Sequence, residues 1–485
     1  MAEIAALYSG NMVPRVVVVG CGISGVAAAH RLVKAGFHRV QILEATGRSG
    51  GRIHTGRLGN NVAEIGASYI HGPCEENPVF CLARDYGLLH QESRFNFIFS
   101  SISSQRLSSE DMSPVLEMYD ELMNDTSQFK NKKETPWASL GHFMRSEGRR
   151  RAAERCKEKD ATTRQLLLCA FNALLKDECS SNAAHTLDEI DVVGFGIYKN
   201  LRGLDCTIRG GYEGLVKSLL SDLPADIVTY NRPVRCVHWN NTENSRDTVN
   251  VECDDGEKIS ANHVILTVPL GYLKKHHSSF FCPPLPAHKL HSIHKLGFGT
   301  CNKIYVEFDQ PWWDADCDKI YLVWRDEEDL LDHVSDIRKS WIRKMSTFTV
   351  LKPSDRSAIH PVLCGWISGH ESEYMETLSD LEVRNSLTEL IHTFTGNPRL
   401  TPRRILCTKW FHNPWTCGSY SHPAKGCSEQ DLENMMEPLP TNGSHLQPLQ
   451  VLFAGEATHP YFYSTVHGAV ASGWREADRL ISHYS

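Results

Sequence analysis

The chain has 485 residues, and its 51 lysine and arginine residues against 58 aspartate and glutamate residues give a formal net charge of −7. Apolar residues make up 41% and charged residues 22% of the sequence, as in ordinary globular proteins. These values exclude a chain that is mainly disordered, collagen-like or coiled-coil. The negative net charge argues against nucleic-acid binding, which requires a basic surface. The length predicts two to four domains at roughly 100–200 residues each. Mild acidity is compatible with cationic substrates.

Cysteine usage and the two ends of the chain limit the class of protein further. The 16 cysteines include no Cys-x-x-Cys pair, so we expect free thiols in a reducing compartment and no metal site. The first apolar stretch, residues 16–29, is interrupted by glycines and is too short for a membrane span or a secretory signal. The last four residues, Ser-His-Tyr-Ser, differ from the Ser-Lys-Leu type of peroxisomal address.

The chain opens with a strand-turn-helix-strand pattern. Four consecutive valines, Val16–Val19, predict a strand that is buried on both faces. A glycine-rich turn at residues 20–25 follows, then a helix at residues 27–35. A second strand, Val40–Leu43, leads directly to Glu44. The pattern predicts a βαβ unit of the kind that binds nucleotides.

The spacing Gly20-x-Gly22-x-x-Gly25 has a physical basis in such a unit. The first glycine permits the tight turn, the second lets backbone N–H groups approach a pyrophosphate, and the third lets the helix pack on the strand. The helix N-terminus then faces the negative charge. Glu44 can accept both ribose hydroxyls of an adenosine and disfavours a 2′-phosphate. A dinucleotide site is therefore predicted, with NADP disfavoured and both NAD and FAD still open.

The rest of the chain predicts a second lobe. Residues 95–160 are polar and weakly patterned, and we interpret the run Arg149-Arg150-Arg151 as a solvated helix face rather than a basic docking patch. Alternating residues at 302–308 predict a half-buried strand. Further antiparallel strands and one helix are expected at residues 320–324, 346–350, 362–367 and 378–394. A strand at 451–454 and a helix from Val466 return to the nucleotide-type pattern, which is thus split between the two ends of the chain.

Further motifs follow in a fixed order along the chain. Gly50-Gly51-Arg52 adds a second glycine pair, with an arginine that can reach a pyrophosphate. The other stretches are residues 69–72, 203–207, 297–304, 375–380, 455–458 and 473–479. With the first turn and Glu44, these stretches resemble the flavin-containing amine oxidases. The match is closer to the polyamine oxidase branch, and within that branch to members that act on N1-acetylated polyamines.

The resemblance implies a mixed α/β and α+β fold. A discontinuous Rossmann-like FAD-binding domain would be interleaved with a substrate domain built on an antiparallel sheet flanked by helices. The FAD-binding parts would be residues 12–85, 206–285 and 405–485. The two parts of the substrate domain would be residues 86–205 and 286–404.

The resemblance also implies the chemistry. FAD would accept a hydride from the carbon beside a secondary amine, water would cleave the resulting imine, and oxygen would become hydrogen peroxide. Non-covalent FAD is expected, because Ser419 stands where the monoamine oxidases carry the cysteine that attaches their flavin, and Cys417 lies two residues earlier. The expected partners are a small polyamine and oxygen, without nucleic acid or a membrane span. We expect a monomer, in the peroxisome by resemblance or in the cytoplasm by the C-terminal sequence.

Matching positions carry the family's functional residues over to this chain. Lys303 would hold a water near the reactive flavin nitrogen, His71 would lie at the substrate entrance, and Asp205 would hold a substrate ammonium. Cofactor contacts are implied for Gly20, Gly22, Ser24, Gly25, Glu44, Gly51, Arg52, Ser68, Tyr69, Val234, Glu456, Thr465 and Val466. Substrate contacts are implied for His71, Asp205, Asn302, Tyr420, Tyr463 and Ser464. Strand alternation places Asn302 on the opposite face from Lys303 unless a bulge intervenes.

The chain departs from the family pattern in four places, and alternatives remain. His422 replaces an aromatic residue and is expected to change the channel wall, Val466 replaces a threonine, residues 95–160 match poorly, and the peroxisomal ending is missing. A spermine oxidase is the first alternative, but the short loop before Val249 lacks the long acidic insertion of that branch. A flavin-fold binding module without turnover and an NAD-dependent dehydrogenase are the others.

Overall fold

A five-stranded parallel sheet at the centre of one lobe draws its strands from three distant parts of the chain. The computed structural model describes residues 14–92, 96–101, 105–107, 109–130, 132, 135–240, 249–325, 336–352, 360–441 and 447–485. The strand order is Val451–Phe453, His263–Leu266, Val16–Val19, Val40–Leu43 and Val228–Thr229. All neighbouring strands are parallel, and Val16–Val19 is buried on both faces, as the valine run predicts.

Two helices pack together against this sheet. The first, Ile23–Lys34, begins directly after Gly22, four residues earlier than predicted, because the glycine-rich turn is itself the first helical turn. The last helix, Val466–Tyr484, crosses it closely at Gly473. A Cβ on Gly473 would lie 2.2 Å from the backbone oxygen of Ser24, so only glycine permits this approach.

A seven-stranded sheet forms the second lobe and is antiparallel except for one pair. Its order is Arg404–Cys407, Cys301–Glu307, Val362–Ser368, Thr347–Leu351, Lys319–Val323, Phe97–Ser101 and Gln105–Leu107. Each of the four strands predicted for this lobe is present within one residue of its expected bounds. The antiparallel substrate sheet that the resemblance implies is therefore confirmed.

Smaller sheets join the two lobes. A four-stranded sheet has the order Lys258–Ala261, Val249–Cys253, Val234–His238 and Phe281–Cys282. Three two-stranded sheets pair Thr55–Leu58 with Asn61–Glu64, Leu89–Glu92 with Cys206–Ile208, and Gly297–Gly299 with Tyr420–His422.

Helices cover the remaining surfaces of both sheets. Besides the two already described, they are Pro78–Asp85, Ser109–Asp125, Leu140–Arg155, Ala161–Ser181, Val192–Gly196, Glu213–Ser221, Leu270–Phe280, Ala287–Lys295, Ile337–Ser340, His370–Met375, Asp380–Thr395 and Glu429–Met436. Short 3₁₀ turns lie at Thr126–Phe129, Leu187–Glu189, Trp341–Lys344 and Glu456–Thr458. No helix in the described ranges is long and apolar enough to cross a membrane.

The arginine run lies on the helix Leu140–Arg155 and is paired with acids. Arg150 contacts a glutamate on either side along its own helix, and Arg151 contacts Asp125 at 2.5 Å on the neighbouring helix. These pairs support the interpretation as a solvated helix face over that as a basic docking patch. The weak sequence pattern hid two helices here, Ser109–Asp125 and Leu140–Arg155, whose apolar residues share a core with the helix Ala161–Ser181.

Candidate functional site

An elongated cavity of about 530 Å³ runs between the two lobes. Its wall includes the glycine-rich turn and Glu44 as well as Lys303, His71 and Asp205. Its volume lies within the range of about 300–1,000 Å³ that is typical of cofactor and ligand sites. Predicted cofactor residues on its wall are Gly20, Gly22, Ser24, Glu44, Gly51, Arg52, Ser68, Tyr69, Val234, Glu456, Thr465 and Val466.

The glycine-rich turn leaves open space where a nucleotide phosphate would lie. A Cβ on Gly22 would meet no heavy atom within 4 Å, whereas one on Gly20 would lie 2.6 Å from the hydroxyl of Thr267. Gly25 does not border the cavity. A Cβ there would lie 2.1 Å from the backbone oxygen of Gly20, so its function is to pack the helix under the turn. The three glycines thus differ in role as the spacing predicts.

Glu44 borders the cavity with both carboxylate oxygens already engaged. One oxygen accepts from the backbone N–H of Cys21 at 2.8 Å, and the other accepts from the N–H of Thr46 at 2.9 Å and its hydroxyl at 2.7 Å. Each carboxylate oxygen has two lone pairs, so the oxygen facing Cys21 retains acceptor capacity for a ribose hydroxyl. Glu44 therefore both holds the turn in place and presents an acceptor.

Arg52 is bound mainly to protein groups on the cavity wall. Its Nη1 donates to Glu456 Oε1 at 2.7 Å and to the backbone oxygen of Ser419 at 2.9 Å. The other oxygen of Glu456 accepts from the N–H of Ser464 at 2.8 Å. Arg48, which sequence reasoning missed, donates to three backbone oxygens of the same turn. The position of Arg48 in the segment Gly47-Arg48-Ser49-Gly50 is the sequence signal that could have identified it.

Lys303 lies buried on the strand Cys301–Glu307 at the wall of the cavity. Its Nζ donates to the backbone oxygens of Glu64 at 2.8 Å and Gly66 at 2.5 Å, and lies 2.5 Å from the hydroxyl of Ser68. The ring of Trp366 lies 4.6 Å from the same nitrogen. Burial lowers the pKa of Lys303 below its usual value, because the charged form loses its hydration. The amine is thus a fixed group whose proton is more easily lost than that of a surface lysine.

His71 and Asp205 form a pair at the open end of the cavity. The distance from His71 Nδ1 to Asp205 Oδ2 is 2.7 Å, and about half of the histidine side chain is exposed. The carboxylate fixes the orientation of the imidazole. Tyr420 also lines the cavity and donates to the backbone oxygen of Ser180 at 2.5 Å. All three residues line the same cavity, and their contact with substrate stays a prediction.

Two predicted substrate residues lie outside the cavity. Asn302 is fully buried on the opposite strand face, where it bonds to Ser372, Glu376 and Thr408. No bulge shifts this strand, so ordinary alternation turns Asn302 away from Lys303. Tyr463 is buried against Tyr198 with its ring edge-on. The prediction that these side chains contact substrate is not supported by their positions.

His422 does not form the channel wall that the sequence led us to expect. It is buried, and its Nε2 would lie 2.2 Å from a Cβ placed on Gly297 of the paired strand. Burial lowers the pKa of His422 from 6.5 to about 4. In contrast, Val466 and Ser464 border the cavity. The hydroxyl of Thr465 caps the last helix by accepting from the N–H of Gly468 at 3.0 Å.

The residues around Ser419 bear on how a flavin would be held. The hydroxyl of Ser419 accepts from the N–H of Cys301 at 2.9 Å and donates to its backbone oxygen at 2.8 Å. Cys417 is not part of the cavity wall. The cavity also contains open space beside Gly22, a helix N-terminus and a Glu44 oxygen that retains acceptor capacity. These features fit a dinucleotide cofactor such as FAD.

Comparison with known proteins places this geometry in a family. The family model described as flavin containing amine oxidoreductase matches residues 23–481. Peroxisomal N(1)-acetyl-spermine/spermidine oxidase from Homo sapiens is 44% identical, over 97% of this chain and 95% of that protein. Probable polyamine oxidase 5 from Arabidopsis thaliana is 30% identical, over 97% of this chain and 98% of that protein. A solved structure of putrescine oxidase bound to putrescine superimposes with a TM-score of 0.70 at 20% identity, covering 97% of this chain and 99% of that chain, and thus shares the fold.

We expect Gly22→Ala to fold but to lose flavin. The added methyl meets no protein atom and projects into the space needed by the pyrophosphate, so a clash of about 1–3 kcal/mol falls on the cofactor alone. FAD affinity should drop about tenfold or more. The measurement is the ratio of flavin to protein absorbance during dilution. Gly214→Ala, on a helix away from the cavity, is the control, and full flavin retention by Gly22→Ala would contradict the assignment.

We expect His422 to make the fold sensitive to acid. Between pH 6.5 and 4 the unfolded chain binds a proton at His422 that the folded chain does not, so the free energy of unfolding falls as pH falls, by about 1.4 kcal/mol per pH unit. His422→Phe should flatten this slope, as measured by urea unfolding at pH 7, 5.5 and 4.5. The exposed His38→Phe serves as control. An unchanged slope in His422→Phe would show that His422 is not buried in its neutral form.

Proposed function

Since the chain belongs to the flavin-containing amine oxidoreductases, whose cofactor is FAD, we propose that it oxidises a secondary amine of N1-acetylated polyamines. Acetylspermine and acetylspermidine would react with oxygen to give spermidine or putrescine, 3-acetamidopropanal and hydrogen peroxide. The strongest support among relatives is the 44% identity to the human acetylpolyamine oxidase over nearly the whole chain. Membership in a flavin family removes the NAD-dependent dehydrogenase as an alternative.

One structural observation carries the proposal. The buried Lys303 lies on the wall of the same cavity that the glycine-rich turn, Glu44 and Arg52 border. An apolar side chain could fill a mere packing position at less cost, since burial of an ammonium costs several kcal/mol. This arrangement favours a working enzyme over a flavin-fold binding module without turnover.

FAD, when bound, would accept the hydride of the amine carbon, which carries both electrons of the oxidation. Glu44 would contact the ribose, the turn at Gly22 the pyrophosphate, and the segment from Ser464 to Val466 the ring system. Lys303 Nζ would hold or release a proton next to that ring, because burial lowers the pKa of its ammonium. Trp366 and Tyr420 line the cavity, and their aromatic side chains would exclude water from the reacting carbon.

The open end of the cavity would select a cationic substrate. Asp205 presents a carboxylate that attracts an ammonium group, and His71 is held in place by it. The overall charge of −7 adds a weak long-range attraction for polycations. Ser464 and Tyr420, both on the wall, are the remaining substrate contacts that we propose.

Spermine is the second candidate substrate. The strands Val234–His238 and Val249–Cys253 are joined by a connection too short to include the acidic insertion of the spermine oxidase branch. The acetylated substrate is therefore preferred.

The names of the human and Bos taurus relatives support a peroxisomal location. A monomer, non-covalent FAD and the domain bounds 12–85, 86–205, 206–285, 286–404 and 405–485 complete the proposal.

The substrate assignment predicts a measurable preference. The purified protein should show flavin absorbance, lose it under anaerobic acetylspermine, and release free flavin on acid denaturation. Its kcat/KM for N1-acetylspermine should exceed that for spermine, as read from hydrogen peroxide formation. A preference for spermine would establish the alternative substrate, and flavin without bleaching by either amine would support the binding module.

The role of Lys303 predicts the behaviour of Lys303→Met. This variant keeps the side-chain length and removes the proton, so turnover should fall about 100-fold while flavin stays bound. Stopped-flow reduction and reoxidation of the flavin measure the two half-reactions separately. Lys217→Met, on an exposed helix, provides the control. Full activity in Lys303→Met would refute the role of this amine.

A further inference from the structure

A charged pair lines the cavity in a place that the proposed chemistry does not use. Asp177 lies on the helix Ala161–Ser181 and Lys319 on the strand Lys319–Val323, and both border the cavity. The distance from Lys319 Nζ to Asp177 Oδ2 is 2.5 Å. The side chains are only 18% and 21% exposed, so the pair is largely removed from water.

Neighbouring groups bind Asp177 and stabilise the charged form of Lys319. The hydroxyl of Tyr321 donates to Asp177 Oδ2 at 3.3 Å, and that of Thr347 donates to Oδ1 at the same distance. Burial alone would lower the pKa of Lys319, but the charge of Asp177 outweighs it and raises that pKa above the usual value. The result is a fixed ammonium and a fixed carboxylate whose net charge is zero.

Strand register locates the pair relative to Lys303. Lys303 is paired with Trp366 on the neighbouring strand. Two residues before Trp366, Cys364 is paired with Thr349 on the next strand. Thr349 is in turn paired with Lys319. Paired residues and alternate residues share a face of a sheet, so these side chains all point to the cavity face. Three strand spacings of ~4.8 Å and an offset of two residues along the strands separate the two lysines, about 16 Å in all. The pair is therefore a second polar group on the same cavity wall, at a distance from Lys303.

The charge balance decides which substrate group would suit this point. An unpaired carboxylate would bind an ammonium, and an unpaired lysine would repel one. A neutral pair neither binds nor repels an ammonium strongly. It presents N–H donors on Lys319 beside an acceptor oxygen on Asp177. A secondary amide is the complementary group, because its carbonyl accepts, its N–H donates and it carries no charge. Retaining a buried ion pair is costly, which favours a binding role over a packing role.

We propose that the Asp177–Lys319 pair is the subsite for the amide end of an acylated polyamine and discriminates against a free ammonium end. This inference rests on the proposed function and deepens it. Acetylspermine would place its acetamide at the pair and its cationic part toward Asp205. The preference for the acetylated end would then come from the charge of Lys319, which cancels that of Asp177.

The test compares N1-acetylspermine with spermine, since these two amines differ only at the acetyl group. Lys319→Met leaves the carboxylate unpaired, so the ratio of kcat/KM for spermine over acetylspermine should rise about tenfold. Asp177→Asn leaves the cation unpaired, so the same ratio should fall. Lys352→Met is the matched control. It breaks a lysine–aspartate pair with Asp318, whose Nζ–Oδ1 distance is 2.8 Å, and neither residue borders the cavity.

Flavin content and thermal unfolding show whether each variant is folded. If Lys319→Met does not retain flavin, the opposite shift in Asp177→Asn carries the test. A ratio within twofold of the wild-type ratio in the folded variants would overturn the subsite while leaving the proposed function intact. A wild-type enzyme that oxidises neither amine would overturn the proposed function itself, and with it the subsite.

Discussion

The buried ion pair between Arg52 and Glu456 holds the cavity together. It joins residues 404 positions apart in the chain, and the same arginine also binds the backbone at Ser419. Glu456 is almost fully buried, so loss of either partner would leave an uncompensated charge at a cost of about 3–5 kcal/mol. The pair ties the segment after the last strand to the segment that follows Glu44, and both segments line the cavity.

The seven-stranded sheet provides the second fixed element. A single face of it carries Lys303, Trp366 and Lys319 toward the cavity. Because hydrogen-bonded strands restrict side-chain positions more than loops do, the sheet can hold reacting and recognising groups at a constant separation. The two lysines differ in their partners: neutral acceptors surround Lys303, whereas a carboxylate faces Lys319. In the proposed function, the same residue type would serve proton exchange at Lys303 and substrate recognition at Lys319.

Much of the fold followed from local patterns. Four valines and a spaced set of glycines predicted the nucleotide turn, and alternation predicted the strand around Lys303 within one residue. The three helices between residues 109 and 181 were missed, because they are stabilised mainly by shared burial and carry a weak periodic signal of their own. Tyr463 illustrates the limit for the site. A family position indicates a neighbourhood, while side-chain direction depends on packing against Tyr198.

The sequence by itself determined a dinucleotide site, because glycine spacing is a property of neighbouring residues. FAD and the candidate Lys303 came from the resemblance of its motifs to a family. The sequence also contained the alternation that turns Asn302 away from the cavity. Only the tertiary structure decided which side chains share one wall. Asp177 and Lys319 are 142 residues apart, and neither carries a local signal. Their charges acquire meaning only when the folded chain places them 2.5 Å from each other, since electrostatic pairing depends on distance in space.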